Sequence, residues 1–327
     1  MMSYRLPQVP GRVASRIRSL TEKLVHPSTR NWWRIARASG QSFWEFLHGY
    51  VYGRWLYGYI GAAIGERRAL RRLRPLFAPF TAPIASPHRW ANSYHGKVVS
   101  TQQTAQLITI NQEVQITIPE QVIPFETARD LVLLHPDHIV VIDCPCRLAR
   151  ENPCLPLDVC LVVGEPFASF ILSHHREKAR QISPEEAVQI LEQEAKRGHV
   201  HHAFFKDAML DRFYAICNCC SCCCGAIRAQ RHGTPMLISS GYVARVDHAR
   251  CQACGLCAKR CPFEAITVNE GKTTIDETKC MGCGVCARSC PTGSISMVRA
   301  PEKPAPLDIE SLLEAAGLPA RAGRPES

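Results

Sequence analysis

The chain has 327 residues, 18 of them cysteine, and a formal charge of +10. A small disulfide-stapled scaffold would be far shorter, and these thiols stand in tight clusters rather than scattered pairs, which favours metal-bound thiolates in a reducing compartment. The start, MMSYRLPQVPGR, lacks an apolar signal core, and no stretch of eighteen uninterrupted apolar residues follows; the expectation is a cytoplasmic protein, with association to a membrane surface left open.

The charge is concentrated at one end. Residues 1–75 carry fourteen Lys and Arg against Glu22, Glu45 and Glu66, a net of +11, so the remainder sums to −1. Such a segment suits docking to an acidic partner or an anionic membrane surface, with nucleic acid the least favoured partner. Within it, residues 41–66 are rich in aromatics, and Gly49, Gly53, Gly61 and Gly65 recur at multiples of four. Small residues at that spacing allow close helix approach. Three readings follow: a packed helical face, an interfacial or partner-docking helix, or a membrane span, the last disfavoured by Glu45, His48 and Arg54. The run GERRALRRLRP, residues 65–75, reads as a solvated cationic face, being too far from the start for a twin-arginine export signal. Four prolines, at 75, 79, 83 and 87, then mark a linker or strap, with a boundary near residue 97.

A Cys-rich α/β region is expected over 98–240. Leu107–Ile110 and Val114–Ile118 read as a hairpin, Phe125–Leu134 as a short helix, Ile139–Ile142 and Val159–Val163 as strands. Ser183-Pro184-Glu185-Glu186 opens a helix that Gly198 closes, with Ala187, Ile190, Leu191 and Ala195 on its core face. A strand is expected at His199–Phe205, a short helix after Cys224, and a loop over 233–241. His199, His201 and His202 read as strand residues that would matter only at a zinc site.

Ten cysteines lie in this region. Cys144, Cys146, Cys154 and Cys160 occur in CPCRLARENPCLPLDVC, and Cys217, Cys219, Cys220, Cys222, Cys223 and Cys224 crowd eight positions. Residues two apart in an extended chain point the same way. Cys144 and Cys146 would then face one metal, and Cys217 with Cys219 would oppose Cys220, Cys222 and Cys224. Ten thiols suffice for one or two further iron-sulfur clusters; a zinc or mixed Cys/His site and free or exchanging thiols are the alternatives.

Residues 251–291 repeat the spacing C-x2-C-x2-C-x3-C-P, CQACGLCAKRCP and CMGCGVCARSCP, 29 positions apart. Soft anionic sulfur suits iron, and the prolines fix the backbone where the chain leaves. Gly255, Gly282 and Gly284 permit turns that aim amides at sulfur. Over residues 243–298 the sequence resembles bacterial-type dicluster ferredoxins. The resemblance implies a (βαβ)-type pseudo-symmetric fold, one-electron transfer and two [4Fe-4S] clusters with crossed ligation. One cluster would take Cys251, Cys254, Cys257 and Cys290, the other Cys280, Cys283, Cys286 and Cys261. The pairing of CPCR with ICNCC, over residues 140–230, also resembles uncharacterised iron-sulfur proteins that carry this domain.

The fold class expected is therefore α+β: a basic helical segment with linker (1–97), a Cys-rich α/β domain (98–240), a dicluster domain (241–300) and a flexible tail (301–327) holding a short helix at 307–316. No dinucleotide fingerprint or P-loop appears, so electrons are expected from a redox partner protein. No catalytic residue is assigned. The function expected is electron transfer, as a carrier or oxidoreductase subunit. The alternatives are a reductase with a substrate-binding cluster or reactive thiol, and a redox-sensing interaction protein.

Overall fold

The structure, a computed structural model, describes residues 25–64, 72, 75, 76, 91–127 and 129–319. The basic run at 65–75, apart from residues 72 and 75, most of the proline strap and the final residues from 320 lie outside them.

The chain is α+β and is built on one eight-stranded sheet. Its strands are β1 (Tyr94–Val99), β2 (Val114–Thr117), β3 (Asp130–Asp143), β4 (Asp158–Glu165), β5 (Ala179–Ile182), β6 (Val200–Lys206), β7 (Arg212–Cys219) and β8 (Leu237–Ile238). They run in the order β2-β3-β4-β7-β6-β1-β8, with β5 also paired to β3. Because both faces are covered, β3 and β4 read as nearly continuous apolar runs. Period-two alternation sends Val140, Ile142, Cys160 and Val162 to one core, and Ile139, Val141, Leu161 and Val163 to the other.

The first face is covered by the N-terminal helices α1 (Pro27–Ala38), α2 (Phe43–Arg54) and α3 (Leu56–Ile64), together with α6 (Phe167–His174). Ser42 caps α2 in a reciprocal box with Glu45. Trp32, fully buried, meets Phe46, Phe167 and Phe170 edge to face. Among the described residues no helix is long and apolar enough to cross a membrane. The glycine spacing has a packing reason instead. A Cβ on Gly49 would lie 2.2 Å from the Ala208 carbonyl oxygen and 3.0 Å from Trp32. Gly49→Ala is accordingly expected to lower stability by about 1–3 kcal/mol, the usual cost of overpacking, read as a lower urea midpoint at unchanged slope.

The second face carries α4 (Thr101–Ile108), α7 (Pro184–Arg197) and α11 (Ile309–Ala315). Helix α7 starts and stops at the expected signals: Ser183 accepts from the Glu186 amide and Gly198 adopts φ +87°. Three expectations fail. Leu107–Ile110 is no strand, because Ser100 and Gln103 form a capping box that starts α4. Phe125–Leu134 is no helix; the chain passes through a loop and enters the 14-residue β3 at Asp130. Nor is 233–241 all loop, since β8 lies within it and pairs in parallel with β1.

Residue 97 falls inside β1, and the tail is packed rather than flexible through the described residues. Leu307, Ile309, Leu312 and Leu313 are buried. The Lys97 ammonium, itself fully buried, donates to the carbonyls of Val122 (2.9 Å) and Ala305 (2.7 Å), stapling the tail to β1.

The C-terminal unit follows the order β9 (Tyr242–Val246), α9 (Leu256–Arg260), β10 (Ile266–Asn269), β11 (Lys272–Ile275), α10 (Val285–Ser289), β12 (Ile295–Arg299). β9 pairs with β12 and β10 with β11, all antiparallel.

Candidate metal centres

The two halves of the C-terminal unit repeat the same local features at the 29-residue offset. Gly255 and Gly284 cap α9 and α10 in the left-handed region, at φ +76° and +73°. The Cys261 sulfur accepts from the Ala265 amide at 3.3 Å, and the Cys290 sulfur from the Ser294 amide at 3.3 Å. These amides are the donors that an anionic sulfur bound to iron requires.

Two cavities lie between the halves. One is lined by Cys251, Cys254, Cys257 and Cys290, the other by Cys261, Cys280, Cys283 and Cys286. Each set thus draws three thiols from one repeat and one from the other. Four soft donors around one compact space, with amides aimed at sulfur, fit a [4Fe-4S] cube.

The two sets sit in different surroundings. Around the first, Cys251 lies 3.4 Å from the Thr273 hydroxyl, and Cys290 lies 3.5 Å from that of Thr292 and 3.2 Å from that of Ser294. Burial pushes the Cys290 thiol up, but the Ser294 and Thr292 side chains and amides outweigh it and hold the group at about 6. Around the second, burial pushes Cys283 and Cys286 up to about 12. Cys254 is exposed, whereas Cys261, Cys283 and Met281 pack on the core beneath the central sheet's first face. The second set therefore faces the interior and the first faces solvent.

Residues 244–297 match the family model of the 4Fe-4S dicluster domain. No match to the chain was found among curated proteins. The dicluster domain makes this an iron-sulfur protein, and it is joined to the central sheet by direct contacts. Arg231, at the end of α8 (Gly225–Arg231), donates to the Pro262 carbonyl at 2.8 Å. Ser240 donates through its amide to Met281 (3.0 Å) and through its hydroxyl to Gly282 (2.7 Å). Since Cys224 is the N-cap of α8, one helix of roughly 10 Å separates a central thiol from the turn at Cys261-Pro262.

The ten central thiols divide into two groups, though not as alternation suggests. Cys144 interacts with Cys146 and Cys160, Cys160 with Cys217, Cys146 with Cys224, and Cys224 with Cys219. These six form a chain in which Cys144, Cys160, Cys219 and Cys224 are buried and Cys146 and Cys217 half-buried. Cys154, Cys220, Cys222 and Cys223 make a second, shallower group. Cys224 joins Cys217 and Cys219 rather than Cys220 and Cys222, because β7 ends at Cys219 and the following turn breaks the period-two rule. Cys144 and Cys146 do share a site, but through a helical turn, α5 (Pro145–Leu148), rather than an extended step. Hydrogen bonds from Cys146 and Cys160 hold Cys144 well below the ordinary thiol range, against the effect of burial.

Arg147, the next residue, is fully buried and fixes that turn. It donates to Glu194 at 2.7 Å, to the Asn218 carbonyl at 3.2 Å and to the Pro156 carbonyl. His199 donates to the same Glu194 carboxylate at 2.6 Å. His201 is engaged by Asn218 and Thr101. Neither histidine joins a thiol group.

The six thiols open into a largely apolar cavity of about 160 Å³, which also touches Cys220 and Cys223. It is larger than either dicluster cavity. Its far wall holds residues that the sequence did not single out. Tyr52 and Tyr214 hydroxyls are 2.9 Å apart, Tyr214 donates to Tyr94 at 3.4 Å, and the Lys206 ammonium stands 5.1 and 4.9 Å from the Tyr52 and Tyr94 rings. Alternation would put Tyr214 opposite Cys217. A register shift in the β6–β7 pairing, between Phe204 and Phe205, turns it to the same side.

Proposed function

We propose that the protein transfers electrons through a series of iron-sulfur clusters: two [4Fe-4S] cubes in the C-terminal unit and a further cluster at the buried central thiols. The observation that carries it is the pair of crossed four-cysteine cavities, which matches the ligation of dicluster ferredoxins. Cys251, Cys254, Cys257 and Cys290 would hold the solvent-facing cluster, Cys280, Cys283, Cys286 and Cys261 the inner one. A cube supplies reversible one-electron redox chemistry. The protein's own residues set its conditions: Thr273, Thr292 and Ser294 donate toward the sulfurs of Cys251 and Cys290 and favour the more negative, reduced state there. Cys261 and Cys283, packed on the central core, point the series inward toward Cys224 and Cys144.

A redox partner would then meet the face bearing Cys254. Docking by residues 1–75 to an acidic or membrane surface is a separate proposal that rests on their charge. A second reading, a reductase acting on a small molecule beside the central thiols, is favoured by the largely apolar cavity there and by Tyr52, Tyr94 and Tyr214 among its lining residues.

Anaerobic purification followed by iron and acid-labile sulfide analysis tests the series. About twelve irons and matching sulfide per chain are expected. About eight would remove the central cluster and keep the dicluster; a sulfide-free preparation would overturn the reading entirely.

A further inference from the structure

The second central group differs in scale from every other thiol set in the protein. The sulfurs of Cys154, Cys220 and Cys222 all lie within 4.8 Å of one another, and among the described residues they are the only His, Cys, Asp or Glu group so closely gathered. Cys223 stands next to this group, its sulfur 3.6 Å from Cys222 but outside the 4.8 Å set, and is the nearest candidate for a fourth ligand. The dicluster cysteines are fully described, line cavities shaped for cubes, and do not meet that spacing.

The spacing identifies the class of ion. Four thiolates around one zinc at about 2.3 Å stand at the corners of a tetrahedron whose edge is 1.63 times the bond, about 3.8 Å. The thiolates of a cube instead cap its iron corners, and are wider apart by the iron–iron separation. We propose that Cys154, Cys220, Cys222 and Cys223 form a mononuclear, all-thiolate zinc site. This assignment goes beyond the iron-sulfur series and does not depend on it.

The surroundings fit a closed structural site. No histidine takes part, and four thiolates leave no open position for substrate. Such a site carries a net charge of −2, and two buried guanidinium groups stand beside it. Arg150 donates to the Cys223 carbonyl at 3.1 and 2.9 Å, and the positive charge of Arg147 acts on both Cys154 and Cys220. Cys222 is exposed and Cys154 half-buried, which gives an ion a way in.

The position suggests what the ion does. Cys154 belongs to the segment between Cys146 and Cys160, and the other three to the turn between Cys219 and Cys224. A zinc ion would clip together the two segments that supply all six inner thiols. That makes it a structural brace for the inner site rather than a member of the electron path.

The test is elemental analysis of the intact protein purified anaerobically from zinc-supplemented medium, with X-ray absorption at the zinc edge. About one zinc per chain is expected, with four sulfur neighbours near 2.3 Å and no iron at short range. Cys222→Ser, at an exposed side chain, and Cys154→Ser should each lose that zinc while the iron and sulfide contents of the dicluster remain. If either variant instead loses iron and sulfide with no change in zinc, or if zinc is absent from the wild-type protein, the assignment is overturned. The iron-sulfur series would fail separately, by absence of sulfide.

Discussion

Glu194→Ala is expected to destabilise the protein by about 3–5 kcal/mol, because it leaves the Arg147 guanidinium buried without its counter-charge. Both side chains have no solvent exposure, and their 2.7 Å contact is the centre of a network that includes His199 and Asn218. The damage should not stop at stability. Arg147 follows directly on Cys144-Pro145-Cys146 and holds that turn to the start of β4 and the end of β7, the segments that bring Cys160 and Cys217 to the same site. A loosened Arg147 is therefore expected to reduce the metal retained by the central thiols, while the dicluster, held by its own turns, keeps its iron. Denaturant unfolding gives the first quantity and iron per chain the second.

The same carboxylate gives a pH dependence with a definite sign. Burial alone would raise the Glu194 pKa, but hydrogen bonds and charge from His199 and Arg147 outweigh it and hold the group below the ordinary carboxylate range. In the unfolded chain it titrates near its usual value of about 4.3. Its contribution is thus fully present above that value and is lost as pH falls through the lower, folded one. Glu194→Gln should flatten this part of the acid limb of a stability profile. An acid limb identical in slope to that of the wild type would show that Glu194 is not ionised in the fold.

What could be read from the sequence was local. The C-x2-C-x2-C-x3-C-P spacing at 251–291 and the signals around Ser183, Pro184 and Gly198 are short-range rules; the first marks the region that matches the dicluster domain and the second bounds α7, and neither needs knowledge of a distant partner. At Leu107–Ile110 two local signals conflict: the β-branched Ile108, Thr109 and Ile110 suggest a strand, and the Ser100–Gln103 box, equally local, starts the helix that forms through Ile108. The central thiols needed three-dimensional information. Alternation holds along β7 from Ala215 to Cys219 and has no force in the turn that follows, so Cys223 and Cys224 part company although adjacent. Tyr214 and Cys217, an odd number apart, share a wall only because of the irregular β6–β7 pairing. The buried Arg147–Glu194 pair joins residues 47 apart, and nothing in the local pattern of either marks it.

Gly282→Val should remove the inner cluster site while leaving the outer one, and the protein contains its own control for the cause. Gly282 adopts φ +68°, which by itself disfavours a side chain. Yet Ala253, its counterpart 29 residues earlier, sits at φ +49° with a Cβ in place. Backbone conformation alone is therefore not what requires glycine at 282. The difference lies in what stands opposite. A Cβ on Gly282 would be 2.2 Å from the Ser240 hydroxyl oxygen and 2.3 Å from the Tyr242 carbonyl oxygen, where the dicluster domain joins the central sheet. The Tyr242 oxygen is backbone and cannot swing aside, so the turn carrying Cys280 and Cys283 must move. Gly284→Ala, at φ +73° but with only the flexible Arg288 guanidinium within 3.1 Å, meets strain without that collision. The expected order is loss of about four irons per chain in Gly282→Val and near-complete retention in Gly284→Ala, each with sulfide falling in proportion. Equal loss in the two variants would mean that the left-handed turn, rather than the seam with Ser240 and Tyr242, sets the requirement for glycine.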